Sequence, residues 1–202
     1  ASEDVPFPYF FDSQNLAFWS AAEQCYVCYF RVFQDKIRRI ARTTSNDFLS
    51  WTPPVLMNYQ HAGGDAPGEH LYTNQTHPYF RAPHIYVSIA ARFMPGRQVL
   101  TAEQAEAINV SPSYFKDTSD AILMSSRPGS NFYNRTFLSS FVRPGIGARN
   151  WVSRTNYPAL NVVQTGPSEM SLYLNQDYAQ PTAHLRRYSM RLDGFASAQA
   201  DY

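Results

Sequence analysis

At 202 residues, 44% of them hydrophobic and only 16% charged, the chain is long enough to bury an ordinary core and needs neither disulfides nor metals to fold. Its formal net charge of +1, without a basic run, argues against nucleic acid held through phosphates, and no run of eighteen apolar residues is present to span a membrane as a helix. The 15% aromatic content and 14 prolines favour an all-β protein with many turns over a helical one.

In chain order, the polar entry Asp12-Ser-Gln-Asn15 leads into strands predicted near 15–19, 25–33, 37–43 and 48–56, a meander that makes one sheet. Cys25 and Cys28 fall in the second of these, where residues three apart face opposite sides. No second pair supplies further zinc ligands, so both read as small apolar side chains, with no metal and no cofactor implied. A second module begins at Arg81-Ala-Pro-His84, where the proline ring restrains the approach to a long β-type run ending at Phe93. An insertion follows, in which Thr101-Ala-Glu-Gln104 is a capping box opening a short helix to Ile108, with Pro112 beyond its end. The module resumes with strands at 120–126 and 135–143. The third module places strands near 159–164, 169–175 and 184–191, with a fourth beginning around 195.

Three polar mouths thus open onto apolar strands starting at about 15, 84 and 159, a recurrence of seventy or so residues. That layout is expected of a β-propeller, whose innermost strands deliver their first side chains to a common central pocket. Three modules, about 1–60, 61–151 and 152–202, make about three blades, and three cannot close a ring. The expectation is an incomplete propeller with one short helix, either part of a longer protein or completed by self-association through its open sheet edges. A β-sandwich of ten or so strands is the alternative.

The segments Phe11-Asp-Ser-Gln-Asn-Leu-Ala-Phe-Trp19, His70-Leu-Tyr-Thr-Asn74, Tyr79-Phe-Arg-Ala-Pro-His-Ile-Tyr86, Ser119-Asp-Ala-Ile-Leu-Met-Ser-Ser-Arg127 and Asn150-Trp-Val-Ser-Arg-Thr-Asn156, with Arg135-Thr-Phe137 and Arg143-Pro-Gly145, cover most of the chain. Together they resemble uncharacterised bacterial proteins related to the five-bladed β-propeller glycoside hydrolases of the invertase and arabinanase type. The resemblance implies a five-bladed fold type, a carbohydrate ligand and a secreted or periplasmic location. In the resembled proteins the stretch corresponding to 137–141 carries an acidic residue where this chain has serine.

Hydrolysis of a glycosidic bond needs one carboxylic acid to protonate the leaving oxygen and one carboxylate as nucleophile or base. Asp12 stands where the resembled hydrolases place an aspartate, which makes it the candidate nucleophile or base, although an aspartate beside Ser13 also suits a turn. Glu169, opening a strand after Thr165-Gly-Pro-Ser168, is the candidate acid, with Glu69 and Asp120 in reserve. Arg81, His84, Arg127, Arg154 and Asn156 form the expected recognition set, because planar multi-donor groups suit sugar hydroxyls and carboxylates. Three readings follow: a glycoside hydrolase-like protein working at a central pocket, a non-catalytic propeller that binds a glycan or a partner protein there, or polar mouths that only satisfy hydrogen bonds at the centre of the ring.

Overall fold

The computed structural model describes residues 14–160 and 162–197. The protein is all-β with one short α-helix, and its strands form three sheets. The first is an antiparallel meander in chain order, β1 (Leu16–Ser20), β2 (Cys25–Gln34), β3 (Ile37–Ser45) and β4 (Val55–Leu56). β2 and β3 are joined by the two-residue loop Asp35-Lys36, both at positive φ, the type I′ geometry whose twist matches that of paired strands.

The second sheet has the order β6-β5-β11-β10-β9-β7. It is built from β5 (Asn58–His61), β6 (Gly64–Asp65), β7 (His70–Thr73), β8 (His77–Tyr79), β9 (Ala82–Met94), β10 (Thr118–Ser126) and β11 (Phe132–Arg135). β8 shares the edge of β9 with β7, and β5 runs parallel to β11. Between β9 and β10 lies helix α1 (Ala102–Ala107), closed by the expected capping box of Thr101 and Gln104. Its buried Ala105 packs with Leu100, Val110, Phe115 and Val152. In the third sheet β14 (Glu169–Gln176) is central, with β12 (Tyr157–Pro158) and β13 (Val163–Gln164) along one edge and β15 (His184–Arg191) along the other.

Alternation along β9 and β10 explains how the sheets stack. Side chains of a strand point to opposite faces in turn. Tyr86, Ala90, Ile122 and Met124 therefore face one way and join Val27, Tyr29 and Ile40 of the first sheet in one core. Val87, Ile89, Ala121 and Leu123 face the other way, into a second core with Met170, Leu172 and Leu174 of the third sheet. The middle sheet is thus apolar on both faces, and β10 is buried along nearly its whole length. Each fully buried Leu or Met contributes about 1.5–3 kcal/mol, so these two interfaces hold the sheets together. β15 is exposed along nearly all its length and carries the outer edge.

The structure differs from the sequence expectation in several places: the strand expected near 159–164 is split into β12 and β13, and residues 192–195 are a turn where a fourth strand was expected. Residues 135–143 form no strand beyond Arg135, since only a bridge between Ala121 and Val142 continues the pairing. Residues 46–50 are bends and 51–54 carry no regular structure, so the expected strand is reduced to β4. The run from Arg81 is not an edge strand of its sheet, because β9 is paired on both sides and β7 and β8 form the edge beside it.

Candidate functional site

The free edges of the three sheets meet at one buried side chain. Gln75, in the link between β7 and β8, is only 1% exposed and adopts a left-handed φ of 53°. Its Nε2 donates to Gln14 Oε1, just before β1, and to the Pro158 carbonyl in β12 at 2.8 Å. One amide thereby ties the entry of the first sheet, the edge of the second and the edge of the third. Gln14 and Asn156, the residues ahead of β1 and β12, share the left-handed conformation, with φ of 58° and 67°. The geometry recurs at all three edges, and non-glycine residues held this way cluster at functional positions.

The segment around Gln75 is polar and buried throughout, from Thr73 to His77. Most of its polar side chains are paired, as buried polar groups generally are, while Gln75 Oε1 has no partner among the described residues. Thr76 Oγ1 bonds the Tyr133 hydroxyl at 2.5 Å, and Ser88 Oγ donates to the Asn74 carbonyl. His77 Nδ1 donates to the Gln75 carbonyl at 2.7 Å while its Nε2 accepts from the Val162 amide at 3.4 Å, which fixes one neutral tautomer. Burial pushes the His77 pKa down, against the opposing effect of the bond to Gln75.

Beside this junction stands a cluster of tyrosine and arginine. The Arg154 guanidinium lies 4.9 Å from the ring centre of Tyr114, 5.6 Å from Tyr178 and 5.7 Å from Tyr72. Arg154 has a left-handed φ of 60°, and its amide donates to Ser119 Oγ at 3.0 Å. Tyr72 is also faced by Arg31 at 4.6 Å and Arg38 at 4.9 Å, and its ring packs 5.2 Å from that of Tyr157. Guanidinium over an aromatic face is attractive, more so when partly desolvated. The rings and guanidiniums around Arg154 are half-buried, so the cluster is reachable from solvent.

Of the residues expected from sequence, Arg154 and Asn156 belong to this region. Asn156 is fully buried, its Oδ1 accepting from Gln176 Nε2 at 2.6 Å and its Nδ2 donating to the Ser119 carbonyl at 3.4 Å. Arg81 and His84 do not share the mouth expected of them. They lie at the start of β9, whereas Tyr72 packs on Phe93 near the end of that 13-residue strand. Arg81 forms an exposed ion pair with Asp193 at 2.8 Å, and the His84 carbonyl accepts from Arg127 at 3.4 Å. The physical reason is the β7–β8 segment, which forms the sheet edge beside the run from Arg81 and leaves that run an interior strand.

Glu69 and Asp120 come together through arginine. Arg92 clamps Asp120 with two bonds, of 2.8 and 2.6 Å, and reaches Glu69 at 2.6 Å. The other Glu69 oxygen is held by Arg135, and Ser140, from the stretch where the resembled proteins carry an acid, donates to Asp120. Both carboxylates are therefore compensated. Glu169 is on the exposed flank of the third sheet, paired with Arg187 and bonded by Thr165 Oγ1 at 2.7 Å. Asp12 lies outside the described residues. On β2, burial pushes the Cys28 thiol up to about 11 and also raises that of Cys25, so both stay protonated at neutral pH.

Sequence reasoning missed Tyr72, Gln75, Tyr114 and Tyr178. A signal was present in Asn74-Gln-Thr-His-Pro78, which repeats the Asn-x-Pro spacing of Asn156-Tyr-Pro158 with two residues added. Three polar edges meeting at a buried glutamine, with an arginine and tyrosine cluster alongside, define an all-β protein whose sheets deliver side chains to a shared junction. No protein-family model and no curated protein matches the chain. Among solved structures it is similar in fold to an N-acetylgalactosamine deacetylase from F. plautii, solved in complex with blood group B trisaccharide, with a TM-score of 0.60 and 11% identity. The match covers 93% of this chain and 53% of that one, so the chain spans about half the length of that structure.

Proposed function

We propose that this chain is a three-blade portion of a propeller of the five-bladed type, with modules about 1–60, 61–151 and 152–202, and that it binds a carbohydrate where the inner edges of its sheets converge. The observation that carries the reading is the Gln75 junction, which brings Gln14 and Pro158 to one side chain. A shared axis is what a propeller needs to assemble a site from separate sheets. The likeness of fold to an enzyme solved with a bound trisaccharide supports the ligand class. Tyr72, Tyr114 and Tyr178 supply faces on which a sugar ring stacks, and Arg154 supplies donors for its oxygens.

Binding is favoured over hydrolysis by a specific feature. Glu69 and Asp120 are neutralised by Arg92 and Arg135, and Glu169 is engaged by Arg187, so none is poised as an uncompensated acid or nucleophile. The hydrolytic reading depends on Asp12. That residue stands two positions before Gln14, as Arg154 stands two before Asn156.

The test is a panel of nitrophenyl glycosides and matching free oligosaccharides, applied to wild type, Asp12→Asn and Tyr72→Ala. The expected result is saturable binding without turnover, weakened several-fold in Tyr72→Ala, since a lost stacking face is worth about 0.5–1.5 kcal/mol beyond its buried area. Turnover abolished in Asp12→Asn establishes hydrolysis instead. Absence of binding to any sugar by the folded protein removes the carbohydrate reading.

A further inference from the structure

The buried and half-buried arginines of this protein differ in what they hold. Arg42, Arg92 and Arg135 each hold a carboxylate, from Glu23, from Asp120 and Glu69, and from Glu69 respectively. Such pairing is what desolvated charges require. Arg38, Arg39, Arg149 and Arg154 hold none among the described residues, and of these Arg38 and Arg154 face Tyr72. The side chain of Arg38 reaches His70 Nδ1 at 3.3 Å and the faces of Tyr72 and Phe93, and that of Arg154 reaches the Tyr72 hydroxyl at 3.5 Å and three tyrosine rings. Both converge on Tyr72, beside the junction where the sheet edges meet. Two partly desolvated cations with aromatic faces and no carboxylate leave their forks open to an anion, and a guanidinium takes a planar carboxylate through two parallel bonds. Arg154 is also held at a left-handed φ, by its amide bond to Ser119, where a side chain other than glycine or asparagine costs conformational energy.

We infer that the ligand of this mouth is an acidic sugar, a uronic acid or another carboxylate-bearing residue, its carboxylate held by Arg154 with Arg38 in support and its ring packed against Tyr72. The inference rests on the carbohydrate reading of the same mouth and adds the charge of the ligand. The separate contributions are legible in the chemistry. Tyrosine faces accept neutral and acidic sugars alike, whereas the two uncompensated guanidiniums distinguish them.

The experiment is calorimetric titration with trigalacturonate, with the uncharged galactotriose, and with a sulfated galactan oligosaccharide, on wild type, Arg154→Asn and Arg38→Gln. Asparagine suits the left-handed backbone at 154, and position 38 lies on the regular strand β3, so one of the two variants retains the fold even if the other does not; thermal melts confirm which. The expected result is that trigalacturonate binds wild type at least tenfold tighter than galactotriose, that the preference falls as salt rises, and that either variant weakens trigalacturonate more than galactotriose, so that the ratio of the two affinities falls. A sulfated ligand bound more tightly than the carboxylate one overturns the carboxylate assignment. Equal or tighter binding of galactotriose overturns the inference and leaves the carbohydrate site standing. Failure of all three oligosaccharides with folded wild type removes both.

Discussion

Gln75 and His77 show how single residues decide whether separate sheets act as one unit. Val162 belongs to the core shared by the second and third sheets, and its amide is held by a histidine nitrogen that accepts only when unprotonated. Because burial lowers the folded pKa of His77 below the ordinary value of 6.5, the unfolded chain binds the proton more readily. The contribution of neutral His77 is therefore present above the unfolded value and is lost as pH falls through the folded one. His70 is displaced in the same direction, by burial first and by the Arg38 charge second, so a single melting curve does not isolate His77. Comparison with His77→Gln does. The stability advantage of wild type over that variant should shrink between about pH 7.5 and about pH 5, and parallel melting curves across that interval would sink the assignment.

The insertion between β9 and β10 is where one element sets the geometry of a site it does not contain. Helix α1 has only six residues and is too short to persist without its cap and its packing. Thr101 and Gln104 satisfy its first amides reciprocally, and Leu100, Ala105 and Phe115 bury its apolar side against Val152. Tyr114, one wall of the Arg154 cluster, is the neighbour of Phe115 and packs at the fringe of that same small core. Thr101→Ala should cost about 1 kcal/mol of stability. Hydrogen exchange should quicken across residues 102–115 while β2 and β10 stay protected, and exchange confined to the first turn would show that the cap is not coupled to Tyr114.

Across the whole molecule, the middle sheet carries most of the organisation, since both its faces are cores and its charged network closes one end. Asp120 is 2% exposed and depends on Arg92 for its charge to be tolerated. Arg92→Met should therefore destabilise the protein by about 3–5 kcal/mol, because it leaves a buried carboxylate uncompensated. The double change Arg92→Met with Asp120→Leu should recover a large part of that loss, because two apolar groups in contact require no pairing. Denaturant midpoints for the two variants check this, and a double variant no more stable than the single one refutes the coupling.

The sequence by itself determined what alternation and local capping determine. The long strands β2, β3, β9, β10, β14 and β15 and the capped helix lie within about two residues of the positions their patterns indicate, because apolar periodicity and a capping box act over a few neighbours. Arg154 and Asn156 were legible as polar groups at a strand mouth for the same reason. The short strands from Asn58 to Tyr79 were not, since two to four polar residues leave no periodic signal and their pairing partners lie on β9 and β11. Only the tertiary structure decided that β7 and β8, not the run from Arg81, form that edge of the second sheet, and that Glu69 and Asp120 are neutralised by Arg92 and Arg135. Both outcomes rest on hydrogen bonds and charge pairs between residues far apart in the chain, and such partners are chosen by packing rather than by any local pattern.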